Sequence, residues 1–211
     1  MNWKLPLSHI WIPAPNPSPH LMVVLHGLGD SPQGFLWMPD AFGFASLNYL
    51  LLTAPDAYYS GFSWYDIGAD SLRGITRSRQ LLAEVFAETS RQGFAPDHTF
   101  LFGFSQGCLM TLEFGARHTQ PLAGYIGISG YSIDPEALLA ELNPEVNRGN
   151  WLITHGRQDD LLPVQNTRAQ MKLLQDGGFR IEYREYVKAH TMDPQRELPD
   201  ILQWLGSRIS A

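Results

Sequence analysis

The sequence predicts an α/β fold in which a mostly parallel central sheet carries helices on both faces, within a single domain of residues 1–211. Two observations support this prediction. Short apolar runs recur along the chain, as expected for strands buried on both faces of a parallel sheet. These runs are residues 21–25, 49–52, 100–102, 125–128 and 151–153. Longer stretches with helical spacing of apolar residues lie between the runs, and this alternation is typical of right-handed β–α–β crossovers.

Apolar stripes predict the longer helices. One helix runs through the seventies and eighties, and its stripe consists of Leu72, Ile75, Leu82, Val85 and Phe86. A second helix is centred on residues 171–174, and the Gly177-Gly178 pair is suited to end it. The last helix is expected to have Asp193 as its cap and Pro194 in its first turn. Its stripe consists of Leu198, Ile201, Leu202, Leu205 and Ile209.

Two further segments complete the pattern. Residues 181–187 mix apolar and charged side chains, as an outer strand with one wetter face would. The Pro-rich residues 13–19 are too few for a domain boundary, so we expect them to join two early strands. In a sheet of this kind the ligand site lies at the carboxyl ends of the strands. Side chains that directly follow a predicted strand are therefore the candidates for function.

The composition excludes several classes of function. The chain has 211 residues, a formal net charge of -6 and no basic run, which argues against nucleic acid as a partner. Its apolar runs are far shorter than the roughly 20 residues of a membrane-spanning helix. Cys108 is the only cysteine, which excludes an internal disulfide and fits a reducing compartment. We therefore expect a cytoplasmic protein; a homodimer is allowed, with Trp37 and Phe42 as aromatic candidates for a dimer contact or for substrate access.

The candidate nucleophile is Ser105, in Gly103-Phe104-Ser105-Gln106-Gly107. This G-x-S-x-G segment follows a predicted strand and precedes a helical stretch, the context in which α/β-hydrolases place a nucleophilic serine. The turn must be tight, so side chains at the glycine positions would collide with the adjoining helix or strand. At the helix N-terminus, the amide of Gln106 is placed to donate to a developing oxyanion. The alternative is a Gly-Ser-Gly turn without chemistry.

A second glycine-rich loop, His26-Gly27-Leu28-Gly29-Asp30, follows the strand at residues 21–25. α/β-Hydrolases take the second oxyanion donor from the loop after an early strand. The backbone amide of Leu28 is our candidate for this donor. An ordinary Gly-rich turn between a strand and a helix is an equally good interpretation of the segment alone.

Seven histidines compete for the role of general base. His190 fits it best, because it follows the last predicted strand in a short loop before the last helix, and the fold's chain order is Ser, then Asp or Glu, then His. His26 and His155 also follow strands, but both precede any suitable acid. They are interpreted as site-lining or buried structural histidines.

Asp159 and Asp160 follow the strand at residues 151–153 and are the candidates for the acid that orients the base. The residues alone do not choose between them, and Asp134 is a weaker contender. A metal site is disfavoured because no second cluster of His or Cys supports zinc.

With these segments in hand, the chain resembles the phospholipase/carboxylesterase family, which includes the acyl-protein thioesterases. The segments that carry the resemblance are residues 25–30, Trp64-Tyr65-Asp66-Ile67, the Gly-Phe-Ser-Gln-Gly segment and His155-Gly156-x-x-Asp159. The resemblance implies an α/β-hydrolase without a large lid, and it selects Asp159 over Asp160. It supports His190 as the base, with Leu28 and Gln106 as oxyanion donors, and it implies no metal and no cofactor.

Residues that border the cleft depart from the family pattern or stay ambiguous. The chain has Asp160-Leu161-Leu162-Pro163 where the family often has Pro and then Val-Pro, and Thr191-Met192 follows His190. Leu162 and His26 are candidates for lining the substrate site. Trp64 is a candidate for lining an acyl groove, with a packing corner as the alternative.

The resulting hypothesis is a serine carboxylesterase or thioesterase that acts through an acyl-enzyme. Acylated protein, lysophospholipid and small esters are all substrates that the sequence allows. The competing hypotheses are an acyltransferase, a peptidase on the same fold and a non-catalytic binding module.

Overall fold

The computed structural model describes residues 1–68 and 70–209. Nine strands occur in this part of the chain: β1 His9–Ile12, β2 Leu21–Leu25, β3 Asn48–Leu52, β4 Asp56–Tyr58, β5 Gly61–Ser63, β6 Thr99–Phe104, β7 Gly124–Ile128, β8 Trp151–Gly156 and β9 Ile181–Tyr186. The α-helices of the same part are α1 Met38–Phe42, α2 Ser71–Arg91, α3 Gln106–Gly115, α4 Pro135–Ala140, α5 Val164–Asp176 and α6 Glu197–Ile209.

Seven strands form the central sheet, in the order β1-β3-β2-β6-β7-β8-β9. Only β1 is antiparallel to its neighbour, and each later pair of the sheet is parallel. β4 and β5 form a separate two-stranded hairpin. The predicted mostly parallel sheet is therefore confirmed, and the five apolar runs all lie in its strands.

Alternate residues of each strand belong to two apolar clusters, as the two-residue period of a strand requires. In β2, Leu21, Val23 and Leu25 pack into the cluster that contains residues of α2 to α5. Met22 and Val24 pack into the cluster that contains residues of α1 and α6. Helices thus cover both faces of the sheet, as predicted.

Two details of the helix predictions and one aromatic candidate are wrong. Leu72 is 61% exposed, because the buried stripe of α2 begins one turn later at Ile75. Phe42 is buried against Tyr49 and Phe102, so it is not a surface aromatic. The last helix begins at Glu197 rather than near Pro194, and Asp193 instead forms the preceding turn by accepting from the amide of Gln195.

The loops that follow β2, β6, β8 and β9 carry Leu28, Ser105, Asp159 and His190 respectively. These four strands are parallel, so their carboxyl ends lie at one edge of the sheet. None of the helices in the described ranges is long and apolar enough to cross a membrane.

Candidate active site

Ser105 occupies a strained turn between β6 and α3. Its φ is 55° and its ψ is -114°, a backbone conformation that is rare for a residue with a side chain. The amide of Ser105 donates to the carbonyl of Ile128 at 2.8 Å, which fixes the turn to the end of β7. A Cβ at Gly103 would lie 2.1 Å from the oxygen of Gly107, and a Cβ at Gly107 would lie 2.3 Å from the oxygen of Leu25. The two glycines are therefore required by the close approach of backbone to backbone.

A continuous chain of hydrogen bonds joins Ser105, His190 and Asp159. The Nε2 atom of His190 lies 2.9 Å from Oγ of Ser105, and its Nδ1 atom lies 2.7 Å from Oδ2 of Asp159. The ring of Phe104 packs against the ring of His190, with 5.2 Å between their centroids. The structure thus brings together the three residues that the sequence singled out, in the geometry of a nucleophile, a base and an orienting acid.

Asp159 is buried and held by several donors. Its Oδ1 atom accepts from the amide of Leu162 at 2.8 Å and from the amide of Leu161 at 3.1 Å, which leaves Oδ2 to accept from His190. Asp160 is exposed to solvent. Asp134 instead caps α4, where its side chain accepts from the amide of Ala137.

His155 lies beneath this group. Its Nε2 atom is 2.8 Å from the carbonyl oxygen of Leu162 and 3.4 Å from Oδ2 of Asp159. Burial lowers the pKa of His155 below its ordinary value. A neutral ring that donates from Nε2 to Leu162 supports the loop that carries Asp159.

His26 and Trp64 are both buried and do not line the substrate site, so the structure agrees with the other interpretation of each residue, a buried structural histidine and a packing corner. The Nδ1 atom of His26 lies 2.7 Å from the oxygen of Gly27, and its Nε2 atom accepts from the amide of Ala54 at 3.1 Å. Burial lowers the pKa of His26, which keeps the ring neutral for these two bonds. The indole of Trp64 donates to the carbonyl of His26 at 2.9 Å. Both residues therefore support the loop after β2.

The backbone amides of Leu28 and Gln106 donate to no protein acceptor within residues 1–68 and 70–209. The loop after β2 packs directly on the nucleophile, since a Cβ at Gly27 would lie 3.3 Å from Cβ of Ser105. The buried side chain of Gln106 accepts from the amide of Trp64 and donates to the carbonyl of Tyr65, each at 2.7 Å. The amides of Leu28 and Gln106 are thus open to an acceptor beside Ser105. The side chain of Gln106 is held in place by its hydrogen bonds to Trp64 and Tyr65.

A cleft of about 380 Å³ opens over Ser105 and His190. Leu162 lines it, and so does Tyr65, the direct neighbour of the buried Trp64. The hydroxyls of Tyr65 and Tyr131 are 3.0 Å apart. Ile67 and Leu161, which are 72% and 73% exposed, also belong to the lining. The aromatic and aliphatic side chains of the lining are those of Leu28, Tyr65, Ile67, Phe104, Tyr131, Leu161 and Leu162.

The sheet order, the serine on its strained turn and the histidine loop after the last strand define an α/β-hydrolase. The family is equally clear: the model of the Phospholipase/Carboxylesterase family matches residues 9–209, and this chain belongs to that family.

Similar proteins agree with this assignment. Acyl-protein thioesterase 1 of Yarrowia lipolytica is 26% identical over an alignment of 223 positions, which covers 97% of this chain and 98% of that protein. Acyl-protein thioesterase 1 of Schizosaccharomyces pombe is 28% identical over an alignment of 166 positions, which covers 72% of this chain and 74% of that protein. The crystal structure of esterase PE8 superposes with a TM-score of 0.82 at 27% identity, covering 95% of this chain and 98% of that one.

Proposed function

We propose that this protein hydrolyses carboxylic esters and thioesters through an acyl-enzyme on Ser105. The observation that carries the proposal is the unbroken chain of hydrogen bonds from Oγ of Ser105 through His190 to the buried Asp159. Membership of the Phospholipase/Carboxylesterase family supports the same chemistry.

The reaction proceeds in two steps. His190 removes the proton from Ser105 as Oγ attacks the acyl carbon, and the oxyanion accepts from the amides of Leu28 and Gln106. His190 then donates the proton to the leaving alcohol or thiol, which leaves the acyl group on Ser105. Water, deprotonated by His190, attacks this acyl group; the bond to Oγ of Ser105 then breaks, and His190 returns the proton to Oγ as the acid is released. Asp159 stays ionised throughout and holds the imidazole in the tautomer that faces Ser105.

The cleft favours an apolar acyl group. Its lining is mostly aromatic and aliphatic, and Ile67 and Leu161 extend this apolar surface to its mouth. An alkyl chain gains free energy along such a surface at roughly 0.8 kcal/mol for each buried methylene. The names of two similar proteins give an acyl group held on a protein by a thioester bond as their substrate, and hydrolysis of such a thioester with an apolar acyl chain is our second, narrower proposal. A lysophospholipid fits the same cleft chemistry.

The test is hydrolysis of a p-nitrophenyl ester series of rising acyl length, with matched acyl thioesters, by wild type and Ser105→Ala. We expect hydrolysis that disappears in the variant, with a preferred acyl length that measures the cleft. Equal rates in both proteins would remove Ser105 from the mechanism. The absence of turnover from both folded proteins would instead favour a binding module.

Product analysis separates the remaining alternatives. An acyltransferase would pass the acyl group to an added alcohol in preference to water, and a peptidase would cleave peptide amides as well as esters. A cytoplasmic location, a homodimer and a single domain spanning residues 1–211 stay predictions, and chromatography with light scattering tests the oligomeric state.

A further inference from the structure

A buried ion pair lies behind the loop that carries His190. Lys188 is 5% exposed and Glu197, the first residue of α6, is fully buried. The Nζ atom of Lys188 lies 2.6 Å from Oε1 of Glu197. Neither residue lines the cleft over Ser105, and the proposed reaction does not use them.

The hydrogen bonds of this pair join residues that come before and after His190 in the sequence. The ammonium of Lys188 also donates to the carbonyl of Thr191 at 2.7 Å, so it bridges the residues on either side of Ala189 and His190. The second carboxylate oxygen of Glu197 accepts from the amide of Asp193 at 2.9 Å. The ion pair therefore links the two ends of the loop that contains His190 and connects this loop to α6.

The same ammonium reaches the part of the sheet that holds the nucleophile. Nζ of Lys188 donates to Oγ of Ser129 at 3.2 Å. Ser129 directly follows β7 and has a φ of 52°, and the preceding residue, Ile128, accepts the hydrogen bond from the amide of Ser105. Lys188 thus connects the loop of the base to the strand end that fixes the serine.

We infer that Lys188 and Glu197 are positioning residues that hold His190 at hydrogen-bonding distance from Ser105. Stability alone does not account for the pair, because an apolar pair of similar volume is often as stabilising as a buried ion pair. Burial lowers the pKa of Lys188, and the adjacent Glu197 carboxylate opposes that change. A charged pair adds directional hydrogen bonds. The ammonium has three N–H donors, and here each one donates to a different segment of the site.

This inference rests on the proposed function, and the experiment separates the two. The variant Lys188→Met with Glu197→Gln removes the ammonium and the charge of its partner together, while the amide oxygen of Gln can still accept from Asp193. Lys172→Met with Asp176→Asn is the matched control, because this i,i+4 pair on α5 is exposed. Ser105→Ala is measured beside them.

We expect the double variant at the buried pair to remain folded and to lose at least about tenfold in kcat with unchanged KM, since displacement by about 1 Å can cost about 100-fold in rate. The control pair keeps wild-type kcat. A smaller loss in kcat, or a change confined to KM, would overturn the inference. If Ser105→Ala keeps wild-type activity, the proposed function itself is wrong.

Should the double variant fail to fold, Ser129→Ala decides, because it removes one acceptor and leaves the ion pair intact. We expect this variant to remain folded and to lose at least about threefold in kcat with unchanged KM, a fraction of what full displacement costs. A smaller loss would overturn the inference that Lys188 positions His190 relative to Ser105.

Discussion

The two halves of the active site are held by different kinds of contact. Around Ser105, backbone meets backbone: the strained turn fits only because Gly103 and Gly107 carry no side chain. Around His190, side chains hold a loop, through Asp159 on one side and Lys188 with Glu197 on the other. Ser105 is therefore fixed by steric exclusion, and His190 by directional polar bonds. A substitution that adds atoms at the close backbone contacts should therefore lower the free energy of unfolding. A substitution that removes one of the polar contacts should lower kcat.

The largest expected effect concerns the close backbone contacts around Ser105. Gly107→Ala places a methyl group 2.3 Å from the oxygen of Leu25 and 2.8 Å from the oxygen of His26, and neither backbone atom can move aside as a flexible side chain could. We expect a loss of more than about 4 kcal/mol in the free energy of unfolding, the range of severe overpacking and strain. Urea denaturation followed by circular dichroism measures it.

Gly206→Ala is the matched control for this substitution. It lies in α6, and its new methyl group would meet Phe44 at an ordinary contact distance of 3.6 Å. A gain of roughly 0.5–1 kcal/mol is expected from the better helix propensity of Ala. Equal stability of the two variants would contradict the steric account of the turn.

The second effect concerns the polar half. Asp159→Asn keeps the size of the side chain but lets the imidazole adopt the wrong tautomer, so we expect kcat to fall by about 10⁴-fold, as in the protease example of the triad. The melting temperature should change little. Ester hydrolysis under saturating substrate measures kcat.

Asp160→Asn is the control for Asp159→Asn, because Asp160 is exposed and makes no bond to His190. It should keep wild-type kcat. Near-wild-type turnover by Asp159→Asn, or a comparable loss in Asp160→Asn, would assign the orienting role to the wrong carboxylate.

The smallest effect tests how the stability that His26 gives the loop after β2 depends on pH. Burial holds the pKa of His26 below its ordinary value of 6.5, so the folded chain binds fewer protons there than the unfolded chain. The stability that neutral His26 supplies is full above pH 6.5 and falls as the pH drops below it. We expect His26→Gln to reduce the slope of unfolding free energy against pH between 6.5 and 5, by up to about 1.4 kcal/mol per pH unit.

Unfolding of wild type and variant at several pH values measures this slope. His9, for which no comparable burial occurs, provides the control as His9→Gln. Identical slopes in wild type and His26→Gln would mean that protonation of His26 does not weaken the loop.

The same contrast explains what the sequence reveals. Strands buried on both faces and the glycines around Ser105 follow from rules of local spacing, so residues 21–25 and the strand–turn–helix around Ser105 were predictable. The polar contacts around His190 join residues that are distant in the sequence and close together only in the fold. Spacing alone left Asp159 and Asp160 equivalent, and the resemblance was needed to separate them.

Burial explains what the sequence left undecided or missed. A histidine or tryptophan has the same sequence pattern whether it faces the cleft or is buried, which is why the sequence does not decide between the two interpretations of His26 and of Trp64. Tyr131 was missed because it follows β7 in a loop without periodicity. The Lys188–Glu197 pair was missed for a related reason, since two charged residues nine positions apart are usually exposed.

Trapping of the acyl-enzyme tests the central claim most directly. Wild type is mixed with a p-nitrophenyl ester, quenched in acid during the first turnover, digested and analysed by mass spectrometry. The account predicts the mass of one acyl group on the peptide that contains Ser105, and none in Ser105→Ala. An acyl group found on another residue, or turnover without any covalent adduct under conditions in which release of the acyl group is rate-limiting, would contradict it.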